Sequence, residues 1–160
     1  MKIYLAGPDV FSPDFAKWRR ETQNSRPWAD LDIELVFPVD NSIVTPKAIA
    51  DNNKTLIQRC DAVAANVNPF RGIEPDSGTC FEIGYAAALG KPIAMYLKSG
   101  ATMRARLGPV DENWYFVEDF GYPVNLMLAE SGTLVTGSLM DAIDALTNAL
   151  RANHKASPKL

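Results

Sequence analysis

Short apolar runs alternate with amphipathic stretches along most of this chain. Lys2-Ile-Tyr-Leu-Ala-Gly-Pro8 opens it as a strand that Gly7-Pro8 breaks, with the loop Asp9 to Pro13 at the strand's carboxyl end. Residues 14–24 read as a helix with Phe15 and Trp18 on one side, and Ile33 to Pro38 as a second strand ending at the polar pair Asp40-Asn41. A helix is predicted from about Thr45, with Pro46 suited to its first turn, through Ile49, Leu56 and Ile57 to Arg59. Asp61 to Asn68 is almost wholly apolar, as a parallel strand covered on both faces should be, and Lys91 to Leu97 is the fourth strand. This alternation predicts a single α/β domain over residues 1–153: a doubly wound parallel sheet with right-handed, helix-covered crossovers. Residues 154–160 read as a flexible tail.

After Ser99 the pattern loosens. Gly100 to Asn113 is polar and too long for a simple connector, which suggests a mobile lid or an interface loop. Trp114-Tyr-Phe116 and Phe120 to Leu128 are dense in aromatic and apolar residues, as a core, a stacking wall or a subunit contact would require. A last helix from Ser138 carries Leu139, Ile143, Leu146 and Leu150 on one stripe.

The segment from Glu74 to Pro92 holds three acids, Glu74, Asp76 and Glu82, within nine positions of a stretch that otherwise looks buried. Asp76 or Ser77 can cap a helix there, Gly78 permits close approach of a ligand or chain, and Gly90 closes the helix. Phe81, Tyr85, Ala88 and Leu89 recur at helical spacing and are expected to face the core, with Glu82 on another face. Glu82 admits two readings: a reactive carboxylate at the ligand-binding edge of an open sheet, or the acid of a Thr79-x-x-Glu82 capping box. Tyr4 is read either as a core aromatic or as a phenol in need of a partner.

Composition narrows the chemistry. With 160 residues, 47% hydrophobic and 22% charged, the chain is an ordinary globular domain able to bury a core. A net charge of −3 argues against a dedicated nucleic-acid binder, and no long apolar run or leader pattern appears, so a cytoplasmic protein without membrane contact is expected. Cys60 and Cys80 read as small apolar residues, and the single histidine, His154, lies in a polar stretch. A Ser-His-Asp triad, a Cys-His pair or a His-rich metal site is therefore not expected. Carboxylates, Tyr and Asn remain as the candidate chemistry, with no metal and no cofactor.

Ile3 to Pro8, Cys60 to Gly72, Glu74 to Pro92 and Pro123-Val-Asn-Leu-Met127, taken together and in this order, resemble the nucleoside 2-deoxyribosyltransferase family. The resemblance implies a flavodoxin-like or Rossmann-like fold and exchange of the base of a 2′-deoxynucleoside for a free nucleobase. By motif position it implies that Glu82 is the nucleophile forming a covalent sugar intermediate, that Tyr4 orients it, and that Asp76 is a site carboxylate able to donate a proton or hold the sugar. Asn125 would be donated to a neighbouring subunit's site, which implies a homo-oligomer with shared sites. Gly7, Phe11, Asp40, Asn53, Gly78 and Met127 complete the implied substrate-binding set. Phe11 and Trp114 to Phe116 are candidates for an aromatic wall.

Asn53 and Ser42 stand where broad-specificity members of that family carry an acid and a glutamine, so altered base choice, purines alone or purines with pyrimidines, is expected. The nucleotide N-hydrolases of the same fold are a first alternative; they are read as placing serine where Asp76 stands, and a carboxylate there would repel a 5′-phosphate. A non-catalytic nucleoside-binding module is a second.

Overall fold

The computed structural model describes residues 1–25, 31–38 and 44–156, with side chains as far as Arg151. Asp40, Asn41 and Ser42 lie outside the described residues, as does the side chain of His154. Five strands form one parallel sheet: β1 (Lys2–Ala6), β2 (Glu34–Val36), β3 (Ala62–Asn66), β4 (Ile93–Leu97) and β5 (Thr133–Thr136). Their order is β2-β1-β3-β4-β5, so the winding reverses between β1 and β3. Among the described residues the helices are α1 (Phe15–Gln23), α2 (Pro46–Arg59), α3 (Ser77–Ala88), α4 (Met103–Leu107), α5 (Leu126–Ala129) and α6 (Leu139–Ala156). A 3-10 turn, Pro8–Phe11, follows β1 directly. This is the doubly wound, flavodoxin-like architecture expected from the alternation of strands and helices.

Strand alternation splits the core into two layers. On one face Tyr4, Ala6, Val63, Ala65 and Met95 pack beneath Ile57 of α2 and Ile83 and Ala86 of α3. On the other, Ile3, Leu5, Ala62, Ala64 and Tyr96 pack beneath Ala142, Ile143 and Leu146 of α6, with Phe15 and Trp18 of α1 at the margin. Register fixes which side chain meets which: Tyr4 lies between Val36 of β2 and Val63 of β3. The small residues of β3 let both helical layers come close to the central strands.

Four features differ from the pattern read in the sequence. The buried stripe of α3 is Thr79, Ile83 and Ala86, whereas Phe81, Ala88 and Leu89 are exposed and Tyr85 is half-buried. Phe81 and Tyr85, one turn apart, stack on each other at 6.2 Å instead of entering the core. The flat β3 surface accommodates short side chains, so the helix turns its bulky residues outward. The stretch 100–113 holds α4, capped by the Thr102 hydroxyl, which accepts the Ala105 N–H at 3.1 Å. Beyond it, Val110 bridges antiparallel to Phe116, and Trp114 turns the chain with a φ of 67°. Edge strand β5 has too short and too exposed an apolar run to stand out by periodicity. The α6 backbone continues past Asn153 to Ala156.

Among the described residues, no helix is long and apolar enough to cross a membrane. The core assignment makes a direct test. Ile83→Ala should cost about 3 kcal/mol in urea unfolding, while Phe81→Ala, at a position 61% exposed, should cost less than about 1 kcal/mol. The reverse ranking would place the buried face of α3 where the sequence spacing puts it.

Candidate active site

The loop between β3 and α3 delivers the acidic residues. Asp76 is the N-cap of α3: its Oδ2 accepts the Thr79 N–H at 2.9 Å and the Thr79 hydroxyl at 3.0 Å. The capping role thus falls to Asp76, and the Thr79-x-x-Glu82 box does not form. Glu82 sits in the second turn, free of the backbone. Gly78 leaves this turn open, since a Cβ there would come within 3.1 Å of Asp76 Oδ2. Glu74 lies exposed in the preceding loop, where its carbonyl accepts the Phe70 N–H at 2.9 Å.

Glu82 points across the α2–α3 seam to the sheet. Tyr4, wholly buried on central strand β1, donates its hydroxyl to Glu82 Oε1 at 2.6 Å. Asn53 of α2 donates its Nδ2 to the same oxygen at 3.2 Å. Oε2 has no protein partner among the described residues. Both readings of Tyr4 therefore hold together: it is core, and its one polar atom is spent on Glu82.

Burial raises the Glu82 carboxyl to about 7, the bonds from Tyr4 and Asn53 pull it down, and the charge of Asp76 pushes it up again. The Tyr4 phenol is driven far above its ordinary value, first by burial and then by the Glu82 charge, so it remains a donor at any working pH. Cys60 is pushed up to about 11, chiefly by burial, and Cys80 is raised for the same reason, which leaves neither as a ready thiolate.

Beside Glu82 lies a cavity of about 430 Å³. Its walls are Pro46, Ile49, Ala50 and Asn53 from α2, and Gly78 and Phe81 from α3. Asn53 Oδ1 is buried there without a hydrogen-bond partner. The sequence spacing had placed Phe81 in the core and did not single out Ala50 or Lys54, which also line this space. The signal was present: 46, 50, 53 and 57 follow helical periodicity, so Asn53 pointing at Glu82 carries its neighbours with it.

The remaining residues named from the sequence lie elsewhere on the chain. Gly7 sits against β3, where a Cβ would strike Asn66 Cβ at 2.9 Å and Asp9 Oδ2 at 2.6 Å. Phe11 stacks on Phe70 at 5.5 Å under the Arg71 guanidinium, and neither Gly7 nor Phe11 lines the Glu82 cavity. Asn125 caps α5, accepting the Met127 N–H at 3.0 Å, and both residues are exposed. Trp114, Tyr115 and Phe116 are exposed and line no part of that cavity. Among the described residues no three His, Cys, Asp or Glu side chains gather as metal ligands.

Comparison with known proteins gives the family and the fold. The family model for nucleoside 2-deoxyribosyltransferase matches residues 3–127. A 2-deoxyribosyltransferase from Leishmania mexicana is 33% identical and superposes with a TM-score of 0.80, over 96% of this chain and 98% of that one. An uncharacterized protein of Schizosaccharomyces pombe is 30% identical over 150 residues, covering 88% of this chain, which spans 66% of that relative's length. A CMP N-glycosidase from Clostridium botulinum, 16% identical with a TM-score of 0.51, covers 92% of this chain and 99% of its own and shares the fold.

The raised carboxyl has a measurable consequence. Between the ordinary value of 4.5 and the folded value of about 7 the native protein holds a proton that the unfolded chain has released. Stability is therefore lost as pH rises across that window, by on the order of 3 kcal/mol from this group. Glu82→Gln should remove this contribution. Unfolding free energies for both proteins at pH 4.5 and 8 check it, and equal pH slopes would contradict the assigned burial.

Proposed function

The chain belongs to the nucleoside 2-deoxyribosyltransferase family, and from that premise we propose that it exchanges the base of a 2′-deoxynucleoside for a free nucleobase through a covalent intermediate on Glu82. The observation that carries this reading is the asymmetry of the carboxylate: one oxygen takes both protein hydrogen bonds and the other is left unpartnered beside an apolar cavity.

In this mechanism Oε2 attacks C1′ of the deoxyribose from the face opposite the base. The C1′–N bond breaks through an oxocarbenium-like transition state, and its electron pair leaves with the base, which takes a proton. A nitrogen of the incoming base then attacks C1′ and the C1′–Oε2 bond breaks. The carboxylate is restored, and the acceptor sheds a proton to balance the one delivered. Two inversions give net retention. Tyr4 and Asn53 hold the carboxylate and share its charge, while the apolar walls favour a base over water at the intermediate. Asp76, whose Oδ2 is engaged in capping, contributes Oδ1 to the sugar or to proton transfer. Asn53 Oδ1 accepts an N–H of the base.

The attacking group must be ionised, so kcat/KM should rise with pH through about 7. Tyr4→Phe removes a bond that lowers this pKa and should move the limb to higher pH; an unmoved limb would separate Tyr4 from the nucleophile. Incubating the protein with deoxyadenosine and a second free base should yield a new deoxynucleoside, with Glu82→Ala reducing the rate by about 10³-fold or more. Free base and deoxyribose formed at one rate regardless of acceptor would mean hydrolysis instead.

We also propose that Asn125 and Met127, exposed on α5, complete the site of a neighbouring copy, and that the exposed aromatic residues from Trp114 to Phe120 are covered in that assembly. Mixing inactive Glu82→Ala subunits with Asn125→Ala subunits after dissociation should restore activity in hybrids that hold one intact site. No recovery on mixing, or a fully active monomer, would overturn the shared site.

A further inference from the structure

A second cavity opens at the carboxyl edge of the sheet and shares no lining residue with the one beside Glu82. It measures about 870 Å³ and lies where the strand order reverses, bordered by the segments that follow β1, β3, β4 and β5. Open α/β sheets bind ligands at that reversal. The Glu82 chemistry does not use it.

Its polar groups are built in. Asn66, the last residue of β3, donates to Asp9 Oδ2 at 3.0 Å and accepts from Asn68 Nδ2 at 2.7 Å. Asn68 Oδ1 in turn accepts the Lys98 N–H at 2.9 Å, so three strand ends are tied into one rigid edge. Tyr96 lines the cavity, is 9% exposed, and its hydroxyl finds no hydrogen-bond partner among the described residues. A phenol at a cavity wall with no partner of this kind can donate to, or accept from, a bound ligand.

The cavity also carries unbalanced positive charge. Among the described residues the Lys98 ammonium has no partner, and Arg106 donates only to the Ile73 and Pro123 carbonyls, at 3.0 and 2.6 Å. Neither forms an ion pair among the described residues. The first turn of α6 borders the same space, but Asp141 already occupies its end by accepting the Ser138 N–H at 2.8 Å, so the cations and not the helix are what an anion would meet. Half-buried Trp18 presents an indole wall.

We propose that this cavity binds a phosphate-bearing ligand of mononucleotide size, with phosphate against Lys98 and Arg106 and an aromatic ring against Trp18, its edge meeting Tyr96 and Asp9. Charge selects the phosphate, since two cations face one carboxylate. Flat, amphipathic walls and a hydrogen-bonding edge select the ring. The site is separate from Glu82, so nucleotide there would act alongside the nucleoside reaction and not within it.

Calorimetric titration of the full chain with adenosine 5′-monophosphate tests this. Saturable binding is expected, weakened about tenfold by Lys98→Ala and by Tyr96→Phe, and unchanged by Glu82→Ala. Lys98 is exposed, so its replacement should leave the fold intact even where Tyr96→Phe disturbs packing. Adenosine and inorganic phosphate should each bind at least about tenfold more weakly. Absence of saturable binding, insensitivity to Lys98→Ala, or loss on Glu82→Ala would overturn the site. Equal affinity for phosphate alone would overturn the ring's part, and equal affinity for adenosine the phosphate's.

Discussion

A single hydrogen bond ties the first strand to the second turn of a helix 78 residues later: the Tyr4 hydroxyl on Glu82 Oε1. The bond works because Tyr4 cannot move. Its ring is locked between β2 and β3 in the middle of the sheet, under α2 and α3. A carboxylate on a solvated helix face would gain little from a phenol, whereas one drawn to the sheet surface loses water and needs the donor. The same burial that makes Glu82 costly to ionise excludes the solvent that would compete with a ligand. Stability and reactivity are set against each other at this one contact.

The cap on α3 is the second requirement. Asp76 satisfies the Thr79 N–H and hydroxyl together, which allows Thr79 to be buried beside the sheet. That places Glu82, three positions on, beside the seam with α2. Asp76 therefore positions Glu82 before it does anything else, and its negative charge also contributes to the raised carboxyl.

Strands β1, β3 and β4 were legible because they are central and apolar, and α2 because Thr45-Pro46 is an unambiguous helix start. The family motifs identified Glu82 and Tyr4, which the structure brings into contact. Three things were not legible. Hydrophobic spacing on α3 named Phe81 and Leu89 as core, but the narrow surface of β3, rich in Ala, admits only Thr79, Ile83 and Ala86. Thr133–Thr136 forms an edge strand whose pairing with β4 depends on tertiary contact more than on its own pattern. Asn125 and Met127 lie at the surface of the chain, away from Glu82, so no contact in the fold ties them to it.

The unpaired Asn53 oxygen gives the free protein a small deficit. A buried acceptor that has given up water and gained nothing raises the energy of the empty site, by about 1–3 kcal/mol in comparable cases. A base that offered an N–H at that point would cancel the deficit; one that offered a lone pair or a methyl group would leave it standing. Discrimination among bases would then come less from attraction to the correct one than from an unrelieved vacancy with every other, a form of selectivity that operates even when all of them fit.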